Sequence, residues 1–134
     1  MRRTVLRLLG IALAAAALIT YVNWAGSRDA ARFDPAAQLR CAHGTQIAGA
    51  QATAEPTARE TRTPDQLAEA WANARNPGLV AGKRRLFDSD DRVDIGFDAK
   101  AQTVAVLTFR ADKTLGWHLD AVVACQARPV PTTS

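Results

Sequence analysis

Apolar residues recur along the chain in three different rhythms, and each predicts a different element. Residues 8–22 carry no charge and include a single Gly and a single Thr, behind a basic start made of Arg2, Arg3 and Arg7. This is the form of a secretory signal or a signal-anchor. Fifteen residues are short for a hydrocarbon core of about 30 Å, but the uncharged run continues through Asn23 and Trp24 to Gly26, nineteen residues in all, which suffices to span it. Tyr21 and Trp24 fall where interfacial aromatic residues sit, and the Arg cluster predicts a cytoplasmic N-terminus.

A helical rhythm follows at Thr63. Thr63 and Gln66 make a capping-box pattern, and Pro64 takes the first helical position, where its missing N–H costs nothing. Leu67, Ala70, Trp71 and Ala74 recur at helical spacing and are expected to face the core, with Trp71 as the large apolar anchor. Asn76, Pro77 and Gly78 end the helix. Residues 42–63 show neither period and are expected to be an extended, loop-rich lead-in.

The third rhythm is alternation. Asp88, Ser89, Asp90 and Asp91 mark a turn, after which Val93, Ile95 and Phe97 alternate with Asp94, Gly96 and Asp98, predicting a half-buried strand. Residues 103–109 are continuously β-prone and predict a more central strand. Residues 116–125 predict a last strand, with Trp117, Leu119, Val123 and Cys125 on one side. The expected fold is α+β: an N-terminal transmembrane helix, then one helix packed on a three- or four-stranded antiparallel meander. The expected layout is a signal-anchor over residues 1–26, a juxtamembrane linker over 27–40, an extracytoplasmic domain over 41–127 and a disordered tail over 128–134.

Charge narrows the function classes. The chain has 17 Lys and Arg against 13 Asp and Glu, and a pI near 9.7. Three of the arginines precede the hydrophobic run and every acid follows it, so the remainder stands near +1. A nearly balanced domain lacks the field that phosphate binding depends on, and no nucleic-acid partner is expected.

The two cysteines, Cys41 and Cys125, bracket nearly the whole expected domain, and outside the cytoplasm an even count favours a disulfide between them. A zinc site from Cys41, His43, His118 and Cys125 is disfavoured, because His118 and Cys125 stand an odd number of residues apart on one strand and diverge unless a bulge intervenes. The acidic run at Asp88, Asp90, Asp91 and Asp94 has Arg92 and Val93 where a calcium loop needs an oxygen ligand and a glycine. Lys83, Arg84 and Arg85 read as its balancing charges, and His118 as an exposed strand residue. No phosphate-binding glycine loop, nucleophile elbow or His-Glu-x-x-His occurs, so neither a cofactor, a metal nor an enzymatic activity is expected. The alternative from another class is a small hydrolase using His118 with an acidic neighbour.

The order of parts resembles that of small exported proteins of high-GC actinobacteria. The resemblance rests on the helix start Thr63-Pro64-Asp65-Gln66-Leu67-Ala68, on Arg92-Val93-Asp94-Ile95, and on Gly116-Trp117-His118-Leu119-Asp120 leading to Cys125, and covers residues 41–125. It implies an exported, disulfide-linked domain and no particular activity. The final strand is also similar to that of nuclear-transport-factor-like domains, in which helices pack on a curved sheet. Together these readings lead us to expect a membrane-anchored extracytoplasmic domain that contacts an envelope protein or a ligand, or, if Ala25, Gly26 and Ser27 are cleaved by signal peptidase, a secreted one. An exposed edge of the meander suits strand addition.

Overall fold

The computed structural model describes residues 32–52 and 55–128. The expected membrane helix over 1–26 and the tail from 129 lie outside them. Among the described residues no helix is long and apolar enough to cross a membrane. A boundary between two compact units falls between Phe33 and Asp34, and the regular elements from Ala36 onward belong to the second.

That unit is α+β and has, among its described residues, one α-helix, α1 (Pro64–Arg75), and five strands: β1 (Thr45–Gln51), β2 (Lys83–Asp88), β3 (Arg92–Ala99), β4 (Gln102–Asp112) and β5 (Gly116–Ala127). The strands form one antiparallel sheet in the order β1-β5-β4-β3-β2. Strands β3 to β5 are the expected meander, and β2, where no strand had been located, extends it on the β3 side. The expectation of three or four strands is corrected by β1, which adds a fifth from the supposed loop-rich lead-in. It lies on the sheet edge beyond β5, mostly exposed on both faces, so no face imposes an alternating pattern on its sequence.

α1 starts as the sequence predicts. Thr63 Oγ1 accepts from the Gln66 N–H at 3.3 Å and Gln66 Oε1 accepts from the Thr63 N–H at 3.0 Å, with Pro64 inside the first turn. The face it buries is corrected. Pro64, Ala68 and Ala72 are enclosed, flanked by Leu67 and Trp71, whereas Ala70 and Ala74 are exposed. Alanines line both stripes, so hydrophobicity alone does not choose between them; the stripe at i, i+4, i+8 that carries no side chain larger than proline lets the helix settle against the sheet. Beneath it lie Val93, Ile95 and Phe97 of β3 and Ala105, Leu107 and Phe109 of β4.

The expectation of a half-buried β3 also needs correcting, because its residues from Arg92 to Phe97 are buried on both faces. Asp94 is fully enclosed and bound by Arg92 Nε at 2.6 Å and by the Thr108 hydroxyl. Gly96 is covered by Leu86, the extra residue of a bulge in β2. The basic trio is likewise committed within the domain. Lys83 reaches Asp65 and Glu69 of α1, Arg85 reaches Asp65 and Asp88, and Arg84 reaches Asp98 and Thr103.

Candidate functional site: a cleft beside the disulfide

One α-helix is about 10 Å across, whereas five strands about 4.8 Å apart make a sheet nearly twice that wide. α1 and the 3-10 turn Pro77–Gly82 lie against the β3 side of the sheet. α1 also meets β5, but β1 at the sheet edge is mostly exposed, and a cleft of about 620 Å³ opens between the helix and that edge. Trp71, Arg75, Asn76 and Leu79 line it from the helix side; Ala48, Ala50, Ala105, Val122 and Ala124 line it from the sheet.

A bulge in β5 determines that floor. Thr108 of β4 pairs with Ala121 and the next residue, Phe109, pairs with Leu119, so Asp120 is the extra residue. One inserted residue shifts the side-chain phase. Trp117 and Leu119 face the core before the bulge, and Val122 and Ala124 face it afterwards. The expected face of Trp117, Leu119, Val123 and Cys125 is thus correct only in its first half. Across β1, Ala48 stands opposite Ala124 and Ala50 opposite Val122, so two neighbouring strands present short side chains at the same depth. The cleft exists because no large side chain fills it.

Trp71 forms its inner wall, stacked on Phe97 with ring centroids 5.8 Å apart and planes 24° apart. Arg75, one turn later, holds its guanidinium carbon 4.6 Å from the centre of the Trp71 ring. Among the described residues Arg75 is the one ionisable side chain on the lining, and no carboxylate joins it. Among the described residues it forms no ion pair, and its single hydrogen bond goes to the Trp71 carbonyl at a long 3.5 Å.

The predicted disulfide is present: Cys41 and Cys125 are bonded, with their Cα atoms 5.4 Å apart. It ties the segment that leads into β1 to β5, at the border of the cleft. Packing begins just before it, where Leu39 is buried and the Arg40 N–H donates to the Thr103 carbonyl at 2.8 Å. With both sulfurs bonded and His43 exposed, the four candidate zinc ligands do not assemble, although the bulge does return His118 and Cys125 to one face. No group of three or more His, Cys, Asp or Glu able to hold a metal occurs among the described residues.

His118 is not the exposed strand residue that was expected. It is half-buried opposite Arg110 on β4, and its Nδ1 is enclosed without a hydrogen-bond partner. Its acidic neighbours are occupied. The Thr114 hydroxyl and the backbone N–H groups of Leu115 and Thr114 hold the Asp112 carboxyl down to about 2, with a smaller contribution from His118. Asp120 lies 3.6 Å from Arg110. The cleft is lined by neither His118 nor these acids. Only the middle of the acidic run is a turn, in which Ser89 Oγ donates to Asp91 and accepts from the Arg92 N–H; Asp88 ends β2 and Asp94 is buried in β3.

Comparison of the chain with protein-family models, with curated proteins and with solved structures finds no match to any of them. Sequence reasoning did not find the cleft. Its signal lies in small residues on β1, β4 and β5, which acquire meaning only when the register brings them together.

Proposed function

We propose that this chain is a contact module of the cell envelope, held to the membrane by residues 1–26 with its folded domain outside the cytoplasm, and that it works by binding a small, largely apolar ligand rather than by catalysis. The observation that carries this reading is the cleft. Its volume falls within the usual range of small-molecule sites, about 300–1,000 Å³, and it combines an aromatic wall, small aliphatic side chains on the floor and polar groups from Arg75, Asn76 and Gln126. The disulfide supports an oxidising compartment.

Two measurements test this. In fractionated native cells the full chain is expected in the membrane pellet, with both thiols unreactive until reduced; recovery in the cytosol with reactive thiols overturns the placement. A mature chain that starts after residue 27 converts it to a secreted protein. Nile red is expected to bind the full chain and to be excluded by Ala124→Phe, which fills the floor. Equal binding by both proteins removes the cleft from the reading.

A second reading, contact with an envelope protein by strand addition, is favoured by β1. The Arg128 N–H donates to Gly44 and the Ala52 N–H donates to Asp120, so even-numbered residues bond to β5 and the backbone groups of Ile47, Gly49 and Gln51 face outward. This edge is uncharged and Ile47 is 51% exposed, whereas the opposite edge, β2, carries a bulge and three basic residues. Cross-linking from position 47 in intact cells is expected to give one discrete adduct, lost in Gly49→Pro; the absence of any adduct removes this reading.

A further inference from the structure

We infer that the ligand of the cleft is a single-chain amphipathic acid, with its apolar body over the alanine floor and its carboxylate at Arg75. The inference rests on the cleft reading and adds the chemistry of the occupant.

The polar groups at the mouth are unbalanced. Asn76 Oδ1 already accepts from the Gly78 N–H at 3.1 Å, which leaves the amide of that side chain to present its two donors. Arg75 has five N–H donors and uses one, at the limit of hydrogen-bond distance. The helix dipole and the indole ring account for a cation at this position. They leave the remaining guanidinium donors to solvent, from which the acceptors of a ligand can take them, and no acid among the described residues pairs with Arg75. Gln126 also lines the cleft and can either donate or accept, so the preference is set by Arg75, whose positive charge and open donors favour a group made of acceptors, at neutral pH a carboxylate or another oxyanion.

The remainder of the lining limits the size and charge of the ligand. Ala48, Ala105 and Ala124 cannot hydrogen-bond through their side chains, so the body of the ligand must be apolar to gain by entering. One arginine in a domain near neutrality favours a single negative charge over a polyphosphate.

The full chain in zwitterionic nanodiscs, with Nile red in the cleft, provides the test. Decanoate and decan-1-ol share a chain and differ in the head group. Decanoate is expected to displace the dye at a concentration at least about 10-fold lower, as for a hydrogen bond to a charged group. Arg75→Gln is expected to erase that preference while decan-1-ol still competes, and Arg75→Lys to retain part of it. Arg75 is exposed, so these variants are expected to keep the wild-type circular dichroism. Equal displacement by acid and alcohol, or an acid preference that survives in Arg75→Gln, overturns the inference and leaves the cleft reading standing. Failure of both probes to displace the dye, together with dye binding unaffected by Ala124→Phe, overturns both.

Discussion

Gly82 lies directly over Asp98: a Cβ placed on Gly82 would stand 2.0 Å from the Asp98 carbonyl oxygen and 2.9 Å from its carbonyl carbon. Gly82 closes the 3-10 turn that leads from α1 into β2, and Asp98 is near the end of β3, so this contact sets how closely the connection rides on the sheet. The obstacle is backbone and has no rotamer to yield. Gly82→Ala is expected to lower stability by about 1–3 kcal/mol, the usual cost of overpacking. At Gly49 a Cβ meets Val123 Cγ1 at 3.4 Å, and Gly49→Ala is expected to stay within about 0.5 kcal/mol of wild type. Urea midpoints of the two variants check the contrast; equal midpoints would show that the Gly82 contact yields.

The disulfide closes a loop with a sequence separation of 84. On the chain-entropy model this removes about 4 to 5 kcal/mol of freedom from the unfolded chain, against a total stability of about 5–15 kcal/mol for an ordinary domain. Cys41→Ala combined with Cys125→Ala is expected to bring the domain close to its unfolding threshold, with the loss appearing as a lower thermal midpoint. A midpoint that does not change would mean that Leu39 and Arg40 hold the entry segment unaided.

The parts of this fold that were legible in the sequence are those whose signal is local. Thr63, Pro64 and Gln66 specify a helix start through contacts three residues apart, and the alternation of Val93, Ile95 and Phe97 is complete within one strand. What was not legible depends on partners distant in sequence. Asp120 reads as an ordinary strand residue until its neighbours are seen to pair with Thr108 and Phe109, and only then does the face of Val122 and Ala124 change. β1 carries no alternation because it is an exposed edge. Ala68 and Ala72 are chosen over Ala70 and Ala74 by the sheet beneath them. The cleft combines all three effects. The disulfide was an exception, legible because two cysteines permit only one pairing.

Asp65 ties α1 to β2 and makes that attachment sensitive to pH. Burial pushes its carboxyl up, but hydrogen bonds from Arg85 and Lys83 outweigh this and hold it below the ordinary 3.8. A depressed folded value contributes stability that is present above 3.8 and lost as pH falls through the folded value. Lys83 shifts the other way. Burial opposes its charge, yet Glu69 and Asp65 raise it above 10.5, so its contribution is present below 10.5 and lost only at higher pH. Asp65→Asn is therefore expected to cost up to about 1 kcal/mol at neutral pH, as befits a pair whose side chains are 33% and 42% exposed. The difference from wild type should persist from pH 5 to pH 9 and close in acid as the wild-type carboxylate is protonated. Urea titrations across pH measure it; a gap that stays constant into strong acid would assign the loss to packing.

Asp94 is fully enclosed between Arg92, itself 8% exposed, and Thr108. Its two carboxylate oxygens face the Arg92 Nε at 2.6 Å and Nη2 at 3.1 Å, a paired geometry that compensates for removing both charges from water. The three residues sit on adjacent strands, β3 and β4, so the network reports on the register between them. Thr108→Val keeps the shape but removes one donor from a buried carboxylate, with an expected cost of about 1–3 kcal/mol. Asp94→Ala removes a buried carboxylate that takes two hydrogen bonds from the Arg92 guanidinium and is expected to cost more, about 3 kcal/mol or above. If the network acts as a unit, the double variant should cost less than the sum of the single losses, because the Thr108 hydroxyl has no carboxylate to serve once Asp94 is gone. A double-mutant cycle by chemical denaturation measures the coupling, and strict additivity would mean that Thr108 and Asp94 stabilise the sheet independently.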